Sequence, residues 1–249
     1  MSYHELPPPP SLRAHVDRFW WRDPAVGPRS AAAHVLPDGC IDVIIDADSG
    51  AARVVGTMTR AVVHDSPSSR LAAVRFRPGG ARPFLRLDSA ELTDRVVELA
   101  ALGARWLELG AGEPERLLGA LAHALLARDA RAVDLRVRVA SRRLLSAKPP
   151  RVAALARELG VSRQQLGRLF REHVGLTPKE LARVGRLQQA IDRLQQAPTL
   201  SLAAAAAELG YYDQAHMTAD FRELAGVTPL VARRARGSIS PIRSLWLEA

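Results

Sequence analysis

Phe170-Arg171-Glu172-His173-Val174-Gly175-Leu176-Thr177-Pro178 returns 51 residues later as Phe221-Arg222-Glu223-Leu224-Ala225-Gly226-Val227-Thr228-Pro229. Upstream, Leu159-Gly160 returns as Leu209-Gly210 after 50 residues. The one-residue difference falls in a turn, where an insertion costs least. Matched blocks at matched offsets mark an internal duplication. Each copy reads as helix, tight turn, helix. In the first, Val152, Leu155, Ala156 and Leu159 line one helical face. Gly160 supplies a sharp exit, and Ser162 is an N-cap for a second helix over about 163–173. That helix turns Leu166, Leu169 and Phe170 inward and presents Arg163, Gln164, Gly167, Arg168 and Arg171. In the second copy, Leu202, Ala205, Ala206 and Leu209 form the first face, and Asp213 caps the next helix. Met217 and Phe221 point inward there, leaving Gln214, Ala215, Thr218, Ala219 and Arg222 outward. A short charged helix presented after a tight turn suits the major groove of DNA.

Pro178 sits at a favourable first helical position, with Leu181, Val184, Leu187, Ile191 and Leu194 following at helical spacing. The pattern predicts a helix over 178–195, roughly 27 Å long at 1.5 Å per residue. One turn of B-DNA is about 34 Å. With the width of the two flanking units added, a rigid rod of that length seats two helices in successive major grooves.

Charge separates the chain into two parts. Residues 1–130 hold 15 Lys and Arg against 16 Asp and Glu, whereas residues 131–249 hold 20 against 10. The basic excess therefore lies entirely in the half that carries the duplication, the footprint of a polyanion-binding module joined to something else. Across all 249 residues, 47% hydrophobic and 24% charged composition describes an ordinary globular protein and excludes disordered or collagen-like chains. Cys40 is the single cysteine, which excludes an internal disulfide and any Cys-x-x-Cys zinc or redox pair. No run approaches the roughly 18 uncharged apolar residues of a membrane span, and Met1-Ser2-Tyr3-His4-Glu5 lacks the character of a secretory signal. The expected location is the cytoplasm.

Upstream of the duplication the period changes twice. Pro7 to Pro10 are four consecutive prolines, an extended lead-in. From about 12 to 77 the pattern is that of strands: Cys40 to Asp46, Ala52 to Gly56 and Leu71 to Arg77. Pro37-Asp38-Gly39 is turn chemistry, and Pro78-Gly79-Gly80 stops the last strand. Beyond 88 the period is helical, with Leu117, Leu118, Leu121 and Leu125, then Val133, Val137, Ala140 and Leu144. These two stripes are free to pack within the chain or against a second copy. Lys148-Pro149-Pro150 then breaks the chain, and the main boundary is expected there.

The duplicated part resembles the AraC/XylS family of bacterial transcription regulators over roughly 150–236. The residues that carry the resemblance are Ala156-x-Glu158-Leu159-Gly160-x-Ser162, Phe170-Arg171-Glu172-x-x-Gly175-x-Thr177-Pro178, Gly210-Tyr211-Tyr212-Asp213-Gln214 and Phe221-Arg222-x-x-x-Gly226-x-Thr228-Pro229. The resemblance implies two helix-turn-helix subdomains joined by a long helix, with the first reading helix dominant. It places Gln164, Gly167 and Arg168 on DNA in the first helix, and Gln214, Ala215 and Ala219 in the second. Two departures stand out. Gly167 offers no side chain, and Ala219 stands where the family usually has arginine. Phe19-Trp20, Leu36-Pro37-Asp38-Gly39-Cys40 and Val74-Arg75-Phe76-Arg77-Pro78-Gly79-Gly80 are similar to the sensor part of a family subgroup. That similarity implies a small cupin-like β-barrel or sandwich followed by helices.

The reading is thus an α+β chain: a cupin-like β sensor domain over 1–88, a helical linker or dimerisation region over 89–147, and an all-α double helix-turn-helix domain over 148–240. The DNA-facing set is Ser162, Arg163, Gln164, Gly167, Arg168, Arg171, Asp213, Gln214, Ala215, Ala219 and Arg222. Expected partners are double-stranded promoter or operator DNA, a small-molecule effector, a second copy of the chain and RNA polymerase, with no membrane. For the effector the candidates are Trp20, Trp21, Arg75 and Arg77. Strand alternation puts Phe19 and Trp21 on one face and Trp20 on the other. Arg75 and Arg77 share a face, suited to a carboxylate or phosphate or else to pairing with Asp38, Asp42 or Asp46. His34, Asp38, Cys40 and His64 are metal-ligand types at spacings that match no metal site, so neither metal nor cofactor is expected. No Gly-x-Ser-x-Gly elbow, phosphate loop or His-rich set points to an enzyme. An enzymatic or purely interacting N-terminal domain, and a non-specific nucleoid protein, remain the alternatives.

Overall fold

The computed structural model describes residues 3–23, 33–64, 70–103, 109–128 and 132–235. The N-terminal part is a six-stranded antiparallel sheet in the order β1-β2-β7-β4-β5-β8. Its strands are β1 (Tyr3–Leu6), β2 (Val16–Arg22), β4 (Ile41–Asp46), β5 (Ala52–Val55), β7 (Leu71–Phe76) and β8 (Val96–Glu98). Strands β3 (Ala33–Val35) and β6 (Val62–His64) pair separately as a two-stranded ribbon. The β-branched alternation of β4 works as expected. Ile41, Val43 and Ile45 are buried on one face, while Asp42, Ile44 and Asp46 stand half-buried on the other. A short helix α1 (Arg82–Leu85) and the longer α2 (Pro114–Leu126) close the first face. There Leu117, Leu118, Leu121 and Leu125 of α2 join Phe19, Val43, Ile45, Val74 and Phe76 in one core. Trp20 lies on the opposite face with Leu71 and Ala73, and Trp21 packs with Phe19, so the alternation read from the sequence holds.

Seven helices follow: α3 (Leu135–Leu144), α4 (Val152–Glu158), α5 (Arg163–Val174), α6 (Pro178–Gln196), α7 (Leu202–Glu208), α8 (Gln214–Asp220) and α9 (Pro229–Arg234). A single wide turn, Phe221–Ala225, continues α8. The connecting helix α6 is shared between two cores. Its Leu181 and Val184 pack with α4 and α5, and its Leu187, Ala190, Ile191 and Leu194 pack with α7, α8 and α9. Thr177 and Glu180 start it with a reciprocal capping box, and Pro178 occupies its first turn. Gly185 is needed where α6 meets the end of α3, since a Cβ would come within 3.1 Å of the Leu145 Cα.

Two expected boundaries move. The sheet does not end at 88, because β8 adds to β5 through Arg53–Glu98, Val54–Val97 and Val55–Val96. The region 89–147 is not a unit of its own. Its first apolar stripe completes the sheet core, whereas Val137, Ala140 and Leu144 of α3 belong to the core of α4 and α5. α3, upstream of the prolines at 149 and 150, thus shares a core with α4 and α5. Both stripes are spent inside the chain, which removes them as a dimerisation surface.

The two parts are joined by specific contacts. Leu36, from the sheet part, is 1% exposed within the core formed by Leu187, Ala190, Ile191 and Phe221. Gln188 Nε2 donates to the Pro37 carbonyl at 2.7 Å, and the Ala61 amide donates to the Leu224 carbonyl at 2.7 Å. Three hydroxyls of the sheet part donate to the last carbonyls of α5. Thr57 reaches Val174 at 2.6 Å, Ser89 reaches His173 at 2.8 Å, and Thr93 reaches Gly175 at 2.8 Å. These carbonyls are among those a helix end leaves without partners. Gly175 allows the approach: its φ is +84°, and a Cβ there would meet the Ser89 carbonyl at 2.9 Å.

Candidate nucleic-acid interface

The first reading helix is α5. Gly160 enters the turn at φ +68°, and Ser162 then caps the helix by accepting from the Gln165 amide at 3.0 Å. Gln165 returns the contact to the Ser162 amide at 2.8 Å, completing a capping box. Leu166, Phe170 and Val174 are buried, with Leu169 half-buried beside them. The expected outward set is outward. Ser162, Arg163, Gln164, Arg168 and Arg171 are exposed, and Gly167 is half-exposed among them. Gln164 and Arg168 lie one turn apart on the same face. Open space surrounds Gly167, where an added Cβ would find nothing within 4 Å.

The second reading helix, α8, opens at Asp213, whose carboxylate accepts from the His216 amide at 2.7 Å. Met217 and Phe221 are buried, while Gln214, Ala215, Ala219 and Arg222 are exposed. Tyr212, just ahead of the cap, is 92% exposed. The resemblance includes Tyr212 in its motif without a role, and the structure leaves its ring in solvent at the mouth of α8.

The repeated Phe-Arg-Glu triplet has one division of labour in both copies. The phenylalanine enters the core, the arginine faces out, and the glutamate clamps the helix to an arginine elsewhere. Glu172 pairs with Arg82 of the sheet part. Glu223 pairs with Arg183 of α6 at 2.7 Å, and Arg183 also holds the buried Asp220 at 2.7 Å. The hydrogen bonds that Arg183 donates to Glu223 and Asp220 raise its pKa above its already high value, so the clamp stays charged. Arg82 and Arg183 were missed at the sequence level. The recurrence of Glu172 and Glu223 at matched positions was the signal that each needed a partner.

Residues 155–235 match a protein family described as a helix-turn-helix domain. The C-terminal part is a helix-turn-helix domain. Residues 4–98 match a second family, described as a domain of unknown function (DUF6597). Over 85 residues the chain is 42% identical to the HTH-type transcriptional regulator GlxA of Rhizobium meliloti (strain 1021). That stretch is 34% of this chain and 26% of the relative, so the chain matches about a quarter of the relative's length. Among solved structures, the C-terminal domain of AraT, a response regulator from Geobacillus stearothermophilus, is 25% identical with a TM-score of 0.38, covering 44% of this chain and 91% of that one. ToxT from Vibrio cholerae O395 is 14% identical with a TM-score of 0.44, covering 89% and 99%.

Beside the helix-turn-helix domain, the expected effector residues are differently placed. Arg75 is 5% exposed and grips Asp42 with Nε at 3.1 Å and Nη2 at 3.1 Å, while Nη1 lies 3.4 Å from Asp38. Of the three aspartates weighed as its partners, Asp38 and Asp42 fill the role, and Asp46 instead accepts from the amides of Asp48 and Ser49. Arg77 donates to the Val16 carbonyl at 3.1 Å and approaches Asp17 at 3.8 Å. Both arginines are thus engaged internally. Trp20 donates from Nε1 to Asp42 at 3.1 Å, and the Trp21 ring stacks on His4 at 4.0 Å. Cys40 is buried, and burial together with the Asp38 charge pushes its thiol well up, which keeps it protonated and unreactive. His34 and His64 lie on β3 and β6, with side chains outside the described residues. Among the described residues no group of three His, Cys, Asp or Glu is placed to hold a metal ion. No described helix is long and apolar enough to cross a membrane. A cavity of about 230 Å³ lies at the seam with the helix-turn-helix domain, lined by Thr59, Arg60, Leu176, Glu180, Arg183 and Glu223.

Proposed function

We propose that the chain is a sequence-specific DNA-binding transcription regulator whose N-terminal domain adjusts how the AraC-type domain is held. The observation that carries this reading is the pair of duplicated reading helices. Each is capped at its start, clamped by its glutamate and exposed on one face, and both are mounted on α6. Arg163, Arg168 and Arg171 supply charge for phosphates and a fork for guanine, and α5 carries more of the base reading than α8. The hydroxyl caps and Leu36 support control by the sheet domain, because they tie it to α5 and to the core beneath α8. A small molecule bound to the sheet domain alters those ties, and RNA polymerase at the promoter is the machinery that responds. A second copy of the chain, if recruited, uses a surface other than the stripes of α2 and α3.

The test is selection of binding sites by the full-length protein from random-sequence DNA, followed by titration against the selected and scrambled sites. We expect a recurrent site, bound at least about a thousandfold more tightly than scrambled DNA, with log K falling steeply in log salt. Equal affinity for selected and scrambled DNA overturns the reading in favour of a non-specific nucleic-acid binder.

A further inference from the structure

We propose that the loop over 57–61 is a splint that sets the two helix-turn-helix subdomains relative to each other, with Asp94 as the residue that positions it. The proposal rests on the regulator reading and deepens it: the splint fixes the separation at which α5 and α8 meet successive grooves.

The two subdomains need such a tie. Among the described residues α6 is the one helix buried in both of their cores. Leu181 and Val184 belong to the first core and Leu187 to the second, with Gly185 at the changeover. Glycine weakens a helix interior, so the rod is least stiff where it passes from one core to the other. The subdomains also leave space between them. The cavity of about 230 Å³ is lined by Leu176 and Val184 from the first and by Glu223 and Leu224 from the second. Arg183 reaches from α6 to Asp220 and Glu223. A single attachment of that kind permits rotation, and a second one, offset from it, opposes rotation.

Residues 57–61 supply the second attachment. At one end, the Thr57 hydroxyl donates to the Val174 carbonyl, the last residue of α5, at 2.6 Å. At the other, the Ala61 amide donates to the Leu224 carbonyl at 2.7 Å. Leu224 belongs to the wide turn that continues α8. One short loop therefore holds the ends of both reading helices. Thr59 and Arg60, between its two attachments, line the cavity.

A strap of this length fixes a distance only if its middle is held. Asp94 holds it. Its Oδ1 accepts from the Thr59 amide at 2.7 Å and its Oδ2 from the Thr59 hydroxyl at 2.6 Å. Its own amide donates to the Thr57 carbonyl at 2.9 Å. Asp94 stands at φ +56°, one of two non-glycine residues at positive φ among the described residues. Such a conformation persists where surrounding contacts over-determine it, and the contacts that do so go to the loop. Val96, two residues on, begins β8, so the anchor of the splint is the sheet itself.

Pulsed electron double resonance between nitroxides at Arg157→Cys on α4 and Ala207→Cys on α7 measures the setting in the full-length protein. Both positions are exposed, and Cys40 is buried with its thiol protonated, so it stays unlabelled. We expect one narrow distance distribution. Asp94→Gly keeps the backbone conformation and removes the carboxylate, and it should at least about double the width of that distribution. Thr59→Ala, which leaves Asp94 in place, should broaden it as well. Asp94→Asn tolerates positive φ and retains an acceptor, so it should return the width towards that of the unaltered loop. Helix content by circular dichroism should be the same in all three, which separates a loosened setting from unfolding. Widths unchanged in Asp94→Gly and Thr59→Ala overturn the proposal, as does broadening that comes only with loss of helix or that Asp94→Asn fails to reverse. On DNA, a base pair inserted between the two halves of the selected site lengthens it by about 3.4 Å. The insertion should cost the wild-type protein more affinity than it costs Asp94→Gly, and an equal cost overturns the fixed separation. The resonance measurement needs no DNA. Failure of site selection therefore removes the regulator and leaves the splint standing, whereas unchanged widths beside a recurrent site remove the splint alone.

Discussion

Arg168 offers a planar fork of five donors on the exposed face of α5, one turn beyond Gln164, where both reach into a single groove. The corresponding surface of α8 presents Gln214, Ala215 and Ala219, with one long polar side chain among them. Arg168→Ala should cost about 1–3 kcal/mol on the preferred site, and Gln214→Ala less. Binding titrations of both variants against the selected site check this, and equal losses would refute the asymmetry. Two histidines set a different residue-scale property. His15 and His173 are held neutral mainly by burial, helped by Arg138 near His15 and Arg82 near His173, so their folded pKa values fall below the ordinary 6.5. The unfolded chain then binds more protons than the folded one as pH drops through about 6.5. The stability they confer is complete above that value and declines below it. Melting temperature should fall between about pH 7.5 and pH 5.5, and His173→Gln should flatten part of that slope. An unchanged slope in the variant would show that His173 titrates normally.

At the scale of elements, much was legible because the signals are local. Ser162 and Asp213 cap the helices expected of them, and the spacing from Leu181 to Leu194 bounded α6 within a residue or so. The stripes of α2 and α3 were equally visible, but periodicity names a buried face and not the partner that buries it. Hence one stripe went to the sheet and the other to the helical core. The caps on the far end of α5 were beyond reach for a related reason. Their donors, Thr57, Ser89 and Thr93, come from a distant part of the chain, and isolated hydroxyl residues in irregular segments leave no pattern. Arg75 shows the limit at the candidate site. Its charge and strand face were read correctly, whereas its use as an internal partner of Asp42 and Asp38 depended on register. Thr57→Val leaves the Val174 carbonyl buried without its donor and should destabilise the seam by about 1 kcal/mol or more. Hydrogen exchange at the amides around residues 173–176 should rise in that variant and return towards normal in Thr57→Ser. Exchange that stays at wild-type rates in Thr57→Val would show that the cap does not hold the helix end.

Over the whole molecule, three cores are linked in series. The sheet with α2, the first subdomain and the second subdomain each have their own apolar cluster, and α6 runs through the last two. Leu36 crosses the seam as a sheet-domain residue in the third cluster. Leu36→Ala should therefore cost about 2–5 kcal/mol, with its effect on α7 to α9 instead of on the sheet. Fragment-resolved hydrogen exchange locates the loss, and loosening confined to residues 3–98 would contradict the placement.

The same leucine limits how such a chain can be recombined. Seen from the gene, a cut near the paired prolines looks like a natural place to exchange one sensor for another. Such an exchange discards α3 from the first subdomain and leaves a leucine-sized hole above Ile191 in the second. Lineages that trade sensors successfully must carry across a matching apolar finger and a matching set of hydroxyls, or inherit a DNA reader that no longer holds its shape.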